Sequence, residues 1–207
     1  MSMRQGLLIV ISGPAGSGKG TMLSHIFASP KHAAKFAYSV SATTRDPRPG
    51  EVDGVNYHFI SREDFLSRIE SGDMLEYTQY CGNYYGTPRK EAESVLNQGK
   101  HLILEIEVEG AANVKRSYPD AILILLLPPS FSVQERRLRG RGTETEEKIL
   151  ERLAQTREEL SRSHVYDYVV YNEDGKDEDA ARQIQAILSA ESHAMKRNLE
   201  SVAAYFN

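Results

Sequence analysis

The sequence ISGPAGSGKGT, residues 11–21, decides the fold. It continues the apolar run LLIVIS and matches the pattern Gly-x-x-x-x-Gly-Lys-Ser/Thr at Gly13, Gly18 and Lys19. A buried strand, a glycine-rich loop and the start of a helix attract phosphate, because backbone N–H groups and the helix dipole both favour anions. The stretch therefore predicts a nucleotide phosphate site. It departs from the pattern at Gly20, where a hydroxyl that binds magnesium is expected.

The missing hydroxyl bears on how a metal ion would be held. Thr21 does not simply replace it, since successive helical residues point about 100° apart. Mg²⁺ dehydrates reluctantly and is often bound mainly by substrate phosphates and water. We therefore expect Mg²⁺ to bind with ATP and to have no direct protein ligand.

Composition sets the class of protein. The chain has 207 residues, enough for one α/β domain with an inserted lobe. A net charge of -4 argues against nucleic-acid binding through a basic surface. The one cysteine, Cys81, favours a reducing compartment. The N-terminal apolar run is too short to cross a membrane, so we expect a cytoplasmic protein. Its oligomeric state, monomer or homo-oligomer, stays open.

Buried strands alternate with helices along most of the chain, which predicts a parallel sheet covered by helices on both faces. The stretch 37–86 breaks this alternation, is hairpin-like and aromatic, and is interpreted as an inserted lobe. The predicted strands are residues 7–12, 38–41, 57–60, 101–106, 121–127 and 168–171. The predicted helices are residues 19–28, 62–71, 88–99, 132–139, 146–162 and 177–206, with Thr87 capping the third and a Thr143–Glu146 capping box before the fifth.

The inserted lobe carries polar groups suited to a nucleotide. Arg45 and Arg48 lie in a proline-rich loop, and arginine forks match phosphate oxygens. Tyr57 and Tyr85 offer phenolic donors, and Glu76 interrupts an aromatic and apolar stretch. Solvated loop charges and core tyrosines are the alternative interpretations.

The chain resembles the guanylate kinase family. The matching pieces are SGPAGSGKGT, SVSATTRDPRPGE, GNYYGTP, LPPS and RLRGRGTETEE, in the family's order and spacing over residues 7–179. The resemblance implies a P-loop nucleoside monophosphate kinase fold that converts ATP and GMP to ADP and GDP in purine metabolism and GMP recycling. It divides the single domain into a core at about 1–36, 87–135 and 164–207, a GMP-binding lobe at about 37–86 and a mobile lid at about 136–163.

The resemblance also implies the residues that bind each substrate. Those on the ATP side are Gly13, Pro14, Ala15, Gly16, Ser17, Gly18, Lys19, Gly20, Thr21 and Asn172, the last equally suited to a plain turn. Those on the GMP side are Ser41, Arg45, Arg48, Tyr57, Glu76, Tyr85, Thr87, Glu105 and Glu107. Glu76 would accept from two adjacent guanine N–H groups. Adenine would leave its oxygens unpaired, a mismatch that gives roughly 10⁴–10⁵-fold rejection.

Glu105 and Glu107 are predicted to lie on one face of a strand, near its carboxyl end, where open α/β sheets bind ligands. The family pattern has Asp at both positions. By resemblance, Glu105 lies near the magnesium-bound phosphates through water, and Glu107 lies near the guanine. A solvated strand end is the alternative.

The resemblance selects Arg137, Arg141 and Arg152 as lid arginines, which join Lys19 and Arg45 as the catalytic set. Phosphoryl transfer needs in-line positioning and neutralisation of charge more than covalent help. A solvated helix face is the alternative for the arginine cluster.

Two other functions compete with a GMP kinase. One is a kinase for AMP or UMP, against which Glu76, Ser41 and Thr87 argue. The other is a guanylate-kinase-like binding module of scaffold proteins, in which residues of the P-loop or the lid are typically lost. Lys19, Arg45, Arg137 and Arg141 are all present here.

Overall fold

The computed structural model describes residues 6–28, 30, 34–80, 82–140, 142 and 145–206. Its strands are β1 (Leu8–Ser12), β2 (Phe36–Tyr38), β3 (Ala42–Thr43), β4 (His58–Phe59), β5 (Met74–Tyr80), β6 (Asn83–Pro88), β7 (His101–Glu105), β8 (Ile122–Leu127) and β9 (Tyr168–Tyr171). Its helices are α1 (Lys19–Ala28), α2 (Arg62–Glu70), α3 (Arg89–Asn97), α4 (Val108–Ser117), α5 (Phe131–Gly140), α6 (Glu146–Ser161), α7 (Asp177–His193) and α8 (Leu199–Ala203). Within these ranges, no helix is both long and apolar enough to pass through a bilayer.

Five strands form the predicted parallel sheet, in the order β2-β7-β1-β8-β9. Val10 at the centre pairs with Leu104 on one side and Leu123 on the other, and all three are buried. Continuous apolar strands of this kind are expected where both faces of a sheet are covered. Because β1 lies between β7 and β8, the loop after β1 opens at the carboxyl edge of the sheet, beside the end of β7.

Helices cover both faces of this sheet. On one face, Met22 and Ile26 of α1 pack with Ile184 and Leu188 of α7 against β1 and β8. On the other face, α3 and α4 contribute the buried residues Ala92, Leu96, Ala111 and Val114. The central strands and α1, which hold the phosphate loop between them, are thereby fixed in a rigid core.

The inserted lobe is a second sheet of four strands, in the order β4-β3-β6-β5, packed against α2. The N-cap predicted for α2 is present, since Ser61 Oγ accepts from the backbone N–H of Asp64 at 3.0 Å. The strand predicted at 38–41 is wrong. The chain leaves the main sheet after Tyr38 and enters the second sheet at Ala42, so residues 39–41 of the predicted strand connect two strands of different sheets.

The sequence pattern does not predict α4, which follows β7 after Ile106 and Glu107. The prediction that Glu105 and Glu107 share one strand is therefore wrong, because β7 ends at Glu105 and Glu107 is the N-cap of α4. Val108, Ala111 and Val114 on one face of α4 are all buried. Their helical spacing is the signal that the strand interpretation overlooks.

The residues that cap two predicted helices also differ from the prediction. Thr87 does not cap α3, because β6 continues through Pro88 and the helix begins at Arg89. The cap of α6 is Thr145, whose side chain accepts from the backbone N–H of Lys148. Thr143 of the predicted capping box lies outside the described residues, as does Cys81.

The long helix predicted for residues 177–206 is wrong as well. The helix α7 ends at His193, and Ala194 is extended with ψ 134°. The Asn198 side chain donates to the carbonyls of Ser192 and Ala194 at 3.1 and 2.8 Å, which satisfies acceptors that a continuing helix would use. Only the short α8 and two single turns of 3₁₀ helix follow.

Candidate active site

A cleft of about 600 Å³ opens at the carboxyl edge of the main sheet, between the glycine-rich loop, the inserted lobe and α6. Parallel sheets place ligands in this position because the loops that follow neighbouring strands meet there. The predicted site residues that line the cleft are Gly13, Pro14, Ala15, Gly16, Ser17, Gly18, Lys19, Gly20, Thr21, Ser41, Arg45, Arg48, Tyr57, Glu76, Tyr85, Glu105, Glu107 and Arg152.

Steric crowding explains why the loop needs two of its glycines. A Cβ on Gly13 would lie 2.1 Å from the carbonyl oxygen of Leu126. Gly18 has a φ of +86°, and a Cβ there would lie 2.4 Å from the side-chain nitrogen of Asn172. A Cβ on Gly20 would meet nothing within 4 Å, so the misfit position is open rather than crowded.

The Lys19 side chain folds back towards the first residues of the loop. Lys19 Nζ donates to the carbonyl oxygen of Gly13 at 2.6 Å and lies 3.5 Å from that of Pro14. Its charge is therefore held at the mouth of the loop, where phosphate would meet the N-terminus of α1.

Asn172 and Arg137 lie against the loop and do not line the cleft. The Asn172 amide is fully buried and donates to Ser17 O and to Asp177, both at 2.9 Å, while its Oδ1 has no partner among the described residues. The Arg137 guanidinium donates to Gly16 O at 3.2 Å and pairs with Asp174 at 2.8 Å. In this conformation both side chains brace the loop.

Arg45 of the lobe is held by several neighbouring side chains. Arg45 forms a two-pronged ion pair with Glu51 at 2.7 and 2.9 Å, which lowers the pKa of Glu51 to about 2. The Arg45 guanidinium also lies 5.2 Å from the Tyr57 ring, and its buried Nε has no hydrogen-bond partner among the described residues. The Tyr57 and Tyr85 rings meet edge to face at 6.1 Å. Arg45 is thus held rigidly, with one donor unused.

Glu76 is the most deeply buried charged residue of the cleft, with 4% of its surface exposed. Burial raises the pKa of its carboxyl to about 7, although a hydrogen bond from the Thr87 hydroxyl at 2.8 Å opposes the shift. Thr87 itself is fully buried and does not line the cleft. A carboxylate in such surroundings needs donors from a ligand, because an ionised group is costly to bury unpaired.

Glu105 and Glu107 both reach the cleft although they are on different elements. Tyr38 Oη donates to Glu105 at 3.0 Å, and burial together with this carboxylate raises the pKa of Tyr38. Burial raises the pKa of Glu107, and the positive charges of Lys19 and Arg152 partly offset this rise. The two carboxylates therefore lie in different electrostatic environments.

These carboxylates line the same cleft as the loop and are groups of a type that can bind a metal ion. Among the described residues, no three or more His, Cys, Asp or Glu side chains are grouped to hold an ion. Carboxylate oxygens are nevertheless suitable for Mg²⁺, which commonly takes one or two of them together with substrate phosphates and waters. The residues present therefore fit an ion that arrives with its nucleotide.

The helix α6 turns one polar face towards the cleft, and most of this face is absent from the sequence prediction. Arg152 is joined there by Gln155, Thr156 and Glu159, at the i, i+3, i+4 and i+7 spacing of a single helical face. That spacing is the signal that could have identified them. Arg141, the third predicted lid arginine, lies outside the described residues.

Tyr38 is the other cleft residue of note that the sequence prediction omits. It was assigned to a strand, and nothing in the local sequence shows that β2 ends beside β7, with Tyr38 opposite Ile103. Only the order of the strands brings its hydroxyl to Glu105.

Comparisons with known proteins agree with this geometry. The family model described as guanylate kinase matches residues 5–191. A guanylate kinase of Halalkalibacterium halodurans is 50% identical over 200 residues, which cover 97% of this chain and 96% of the relative. One from Streptococcus thermophilus is 48% identical over 193 residues, covering 93% and 90%. The crystal structure of guanylate kinase from Anaplasma phagocytophilum aligns with a TM-score of 0.72 at 31% identity, covering 94% of this chain and 90% of that one. The chain belongs to the guanylate kinase family.

Proposed function

We propose that this protein transfers the γ-phosphoryl group of ATP to the phosphate of GMP, giving ADP and GDP. ATP binds on the glycine-rich loop, and GMP binds in the inserted lobe. The observation that carries the choice of acceptor is Glu76, a buried carboxylate that lines the cleft of the lobe. Guanine presents an N–H group and an amine side by side, and these two donors match the two oxygens of one carboxylate.

The remaining lobe residues suit the phosphate of GMP. Arg45 and Arg48 both line the cleft and can offer guanidinium donors, and Tyr57 and Tyr85 add phenolic hydroxyls. Ser41 lines the same cleft and can bond to the guanine edge. Thr87 acts through Glu76, because its hydroxyl is directed to that carboxylate.

Lys19 and Arg152 both line the cleft. Positive charges aimed at the transferring group stabilise the transition state, and the GMP phosphate is already an anionic nucleophile, so no general base is required. Bound with ATP, Mg²⁺ supplies further neutralisation of phosphate charge. Glu105 is our candidate for a contact to that ion through water, and Glu107 for the guanine side.

Arg137 and Arg141 complete the proposed catalytic set. To touch a phosphate, Arg137 would have to exchange the carboxylate of Asp174 for it, a change that closure of the α5–α6 region over ATP would allow. We place Asn172 near the adenine on the strength of its unpartnered Oδ1 and its position behind Gly18. We place the activity in the cytoplasm, in purine nucleotide metabolism and GMP recycling.

A coupled assay of ADP release tests the proposal. The protein is mixed with ATP, magnesium and, in turn, GMP, AMP, UMP and CMP, and we expect turnover with GMP to exceed that with AMP by about 10⁴-fold in kcat/KM. Equal turnover of AMP and GMP would overturn the assignment of Glu76. No turnover of any nucleotide, with GMP still bound in calorimetry, would indicate a binding module instead.

A further inference from the structure

A single buried amide links the glycine-rich loop to α6. Gln134 on α5 has only 1% of its surface exposed. The cluster of α5 and α6 beside it is apolar, being formed by Leu138, Ile149 and Leu153 with Ala15 of the loop packed against them. Burying an amide in such surroundings is costly unless its polar atoms are bonded. The position is therefore one where an apolar side chain of similar size would be expected on grounds of stability alone.

The bonds of Gln134 join three segments. Its Nε2 donates to the carbonyl oxygen of Ala15 at 3.0 Å and to the Thr156 hydroxyl oxygen at 2.7 Å. The Thr156 hydroxyl donates its own proton to the carbonyl oxygen of Arg152 at 2.9 Å. Because both partners of Nε2 are acceptors, the amide can have only this orientation. A continuous set of hydrogen bonds thus runs from the loop to the backbone of Arg152.

The far end of this set is part of the cleft. Thr156 is on the same face of α6 as Arg152, Gln155 and Glu159, and all four line the cleft together with Lys19. The two bonds of Gln134 Nε2, at 2.7 Å to Thr156 and 3.0 Å to Ala15, therefore fix the separation between this face and the loop that carries Lys19. Phosphoryl transfer depends on that separation, since misplacement of a charged group by about 1 Å can reduce the rate by about 10²-fold.

We propose that Gln134 and Thr156 form a latch that holds α6 against the glycine-rich loop and so positions Arg152 for phosphoryl transfer. Gln134 is a positioning residue, which acts through Thr156 and the backbone of Arg152. This inference rests on the proposed kinase function. One of its tests, backbone hydrogen–deuterium exchange, does not depend on that function.

Three substitutions separate the hydrogen bonds from the packing. Gln134→Leu keeps most of the volume and removes the donors, Thr156→Val is nearly isosteric and removes the hydroxyl, and Thr156→Ser keeps it. We expect the first two to lower kcat about tenfold with the KM for GMP unchanged, because the latch hydrogen bonds described above involve no residue of the lobe. Thr156→Ser should retain wild-type kcat. Combining Gln134→Leu with Thr156→Val should cost no more than either change alone, as expected when both remove one shared interaction.

Ile149→Val is the matched control, because it loosens the same apolar cluster and removes no hydrogen bond. It should lower Tm and leave kcat unchanged. If Gln134→Leu and Thr156→Val behave like this control, or if their effects on kcat simply add, the latch has only a structural role and the proposal fails.

Backbone hydrogen–deuterium exchange keeps this test independent of the kinase function. If the wild-type protein turns over no nucleoside monophosphate, the proposed function fails, and exchange in residues 146–161 still decides the matter of the latch. Faster exchange there in Gln134→Leu than in Ile149→Val, with the rest of the chain equally protected in both, supports it. Equal exchange in the two variants overturns it.

Discussion

The two halves of the cleft hold their charged groups by different means. In the donor half, the backbone does so: Lys19 bonds to the carbonyl of Gly13, and the loop takes its shape from glycines that no other residue could replace. In the acceptor half, other side chains do so, with Arg45 held by Glu51 and Glu76 held by Thr87. The glycine-rich loop and Lys19 are thus set before any ligand arrives, whereas the acceptor half presents Glu76, whose ionisation depends on its neighbours.

Substitutions in the two halves of the cleft should therefore affect function in different ways. A change in the donor half should reduce the rate of transfer and leave GMP binding intact, because the loop that carries Lys19 and the lobe that carries Glu76 are separate parts of the fold. A change in the acceptor half should alter affinity, base specificity and their dependence on pH.

The largest effect is expected for Lys19→Ala. Removing a charge aimed at the transferring group should lower kcat by about 10³-fold, since that charge is needed most in the transition state. GMP should bind with unchanged Kd. The checks are ADP release for kcat and calorimetry for GMP. Loss of GMP binding in this variant would contradict the separation of the halves.

Glu76→Gln should cause the next largest effect and confine it to the acceptor. An amide replaces one acceptor oxygen by a donor that opposes a guanine N–H group, so kcat/KM for GMP should fall by about 10²-fold. ATP binding should not change. Steady-state kinetics with GMP and with AMP measure the loss, and a variant that discriminated between the two bases as well as the wild type would show that Glu76 does not read the base.

The pH dependence of GMP binding tests the same contact between Glu76 and GMP. With a pKa of about 7, Glu76 is half ionised near neutrality, and GMP needs the ionised form. Affinity for GMP should therefore fall as pH drops below 7, about tenfold per unit once the carboxyl is mostly protonated. Glu76→Gln is the control, since it keeps the titration of the GMP phosphate and removes that of the carboxyl.

The stability of the protein should change with pH in the direction opposite to its affinity for GMP. A carboxyl whose folded pKa lies above its unfolded value binds a proton more tightly in the folded state. Its contribution to the free energy of unfolding is therefore complete below the unfolded value, 4.5, and is lost as pH rises through 7. Denaturation of Glu76→Gln at a series of pH values should show no such decrease in the free energy of unfolding between pH 4.5 and pH 7.

Thr87→Val should have a smaller effect on the same measurement. The Thr87 hydroxyl is the donor that favours the ionised carboxylate, so its loss should move the midpoint of the pH profile above 7. At pH 7 we expect about tenfold weaker GMP binding, and near-normal binding at higher pH. Affinity measured by calorimetry across this range provides the check. A uniform loss at every pH would mean that Thr87 contacts the base directly.

The same contrast explains what the sequence could and could not predict. Residues 11–21 predict the donor loop almost completely, because its geometry comes from glycines and a helix start that are adjacent in the chain. Glu107 and Tyr38 were misplaced or missed because their positions depend on where β7 and β2 end in the assembled sheet. The partners Arg45–Glu51 and Glu76–Thr87 required the folded lobe. Local chemistry is readable from the sequence, whereas pairings between strands are set by topology.

The smallest effect is predicted for the position that departs from the loop pattern. Gly20 is exposed in the first turn of α1, and a Cβ there meets nothing within 4 Å. Gly20→Ala should therefore raise the free energy of unfolding by about 0.5 kcal/mol, because alanine loses less backbone entropy in a helix. Urea denaturation measures this change, and kcat should stay within about twofold of wild type since every backbone N–H of the loop is kept.

Gly18→Ala is the matched control within the same loop. Its positive φ and the 2.4 Å approach to Asn172 leave no room for a methyl group, so this variant should lose both stability and activity. If Gly20→Ala lost activity as severely while gaining stability, the open space beside Gly20 would be required by the bound nucleotide and its ion. The departure from the pattern would then be part of the donor site, and the backbone alone would not account for how that half works.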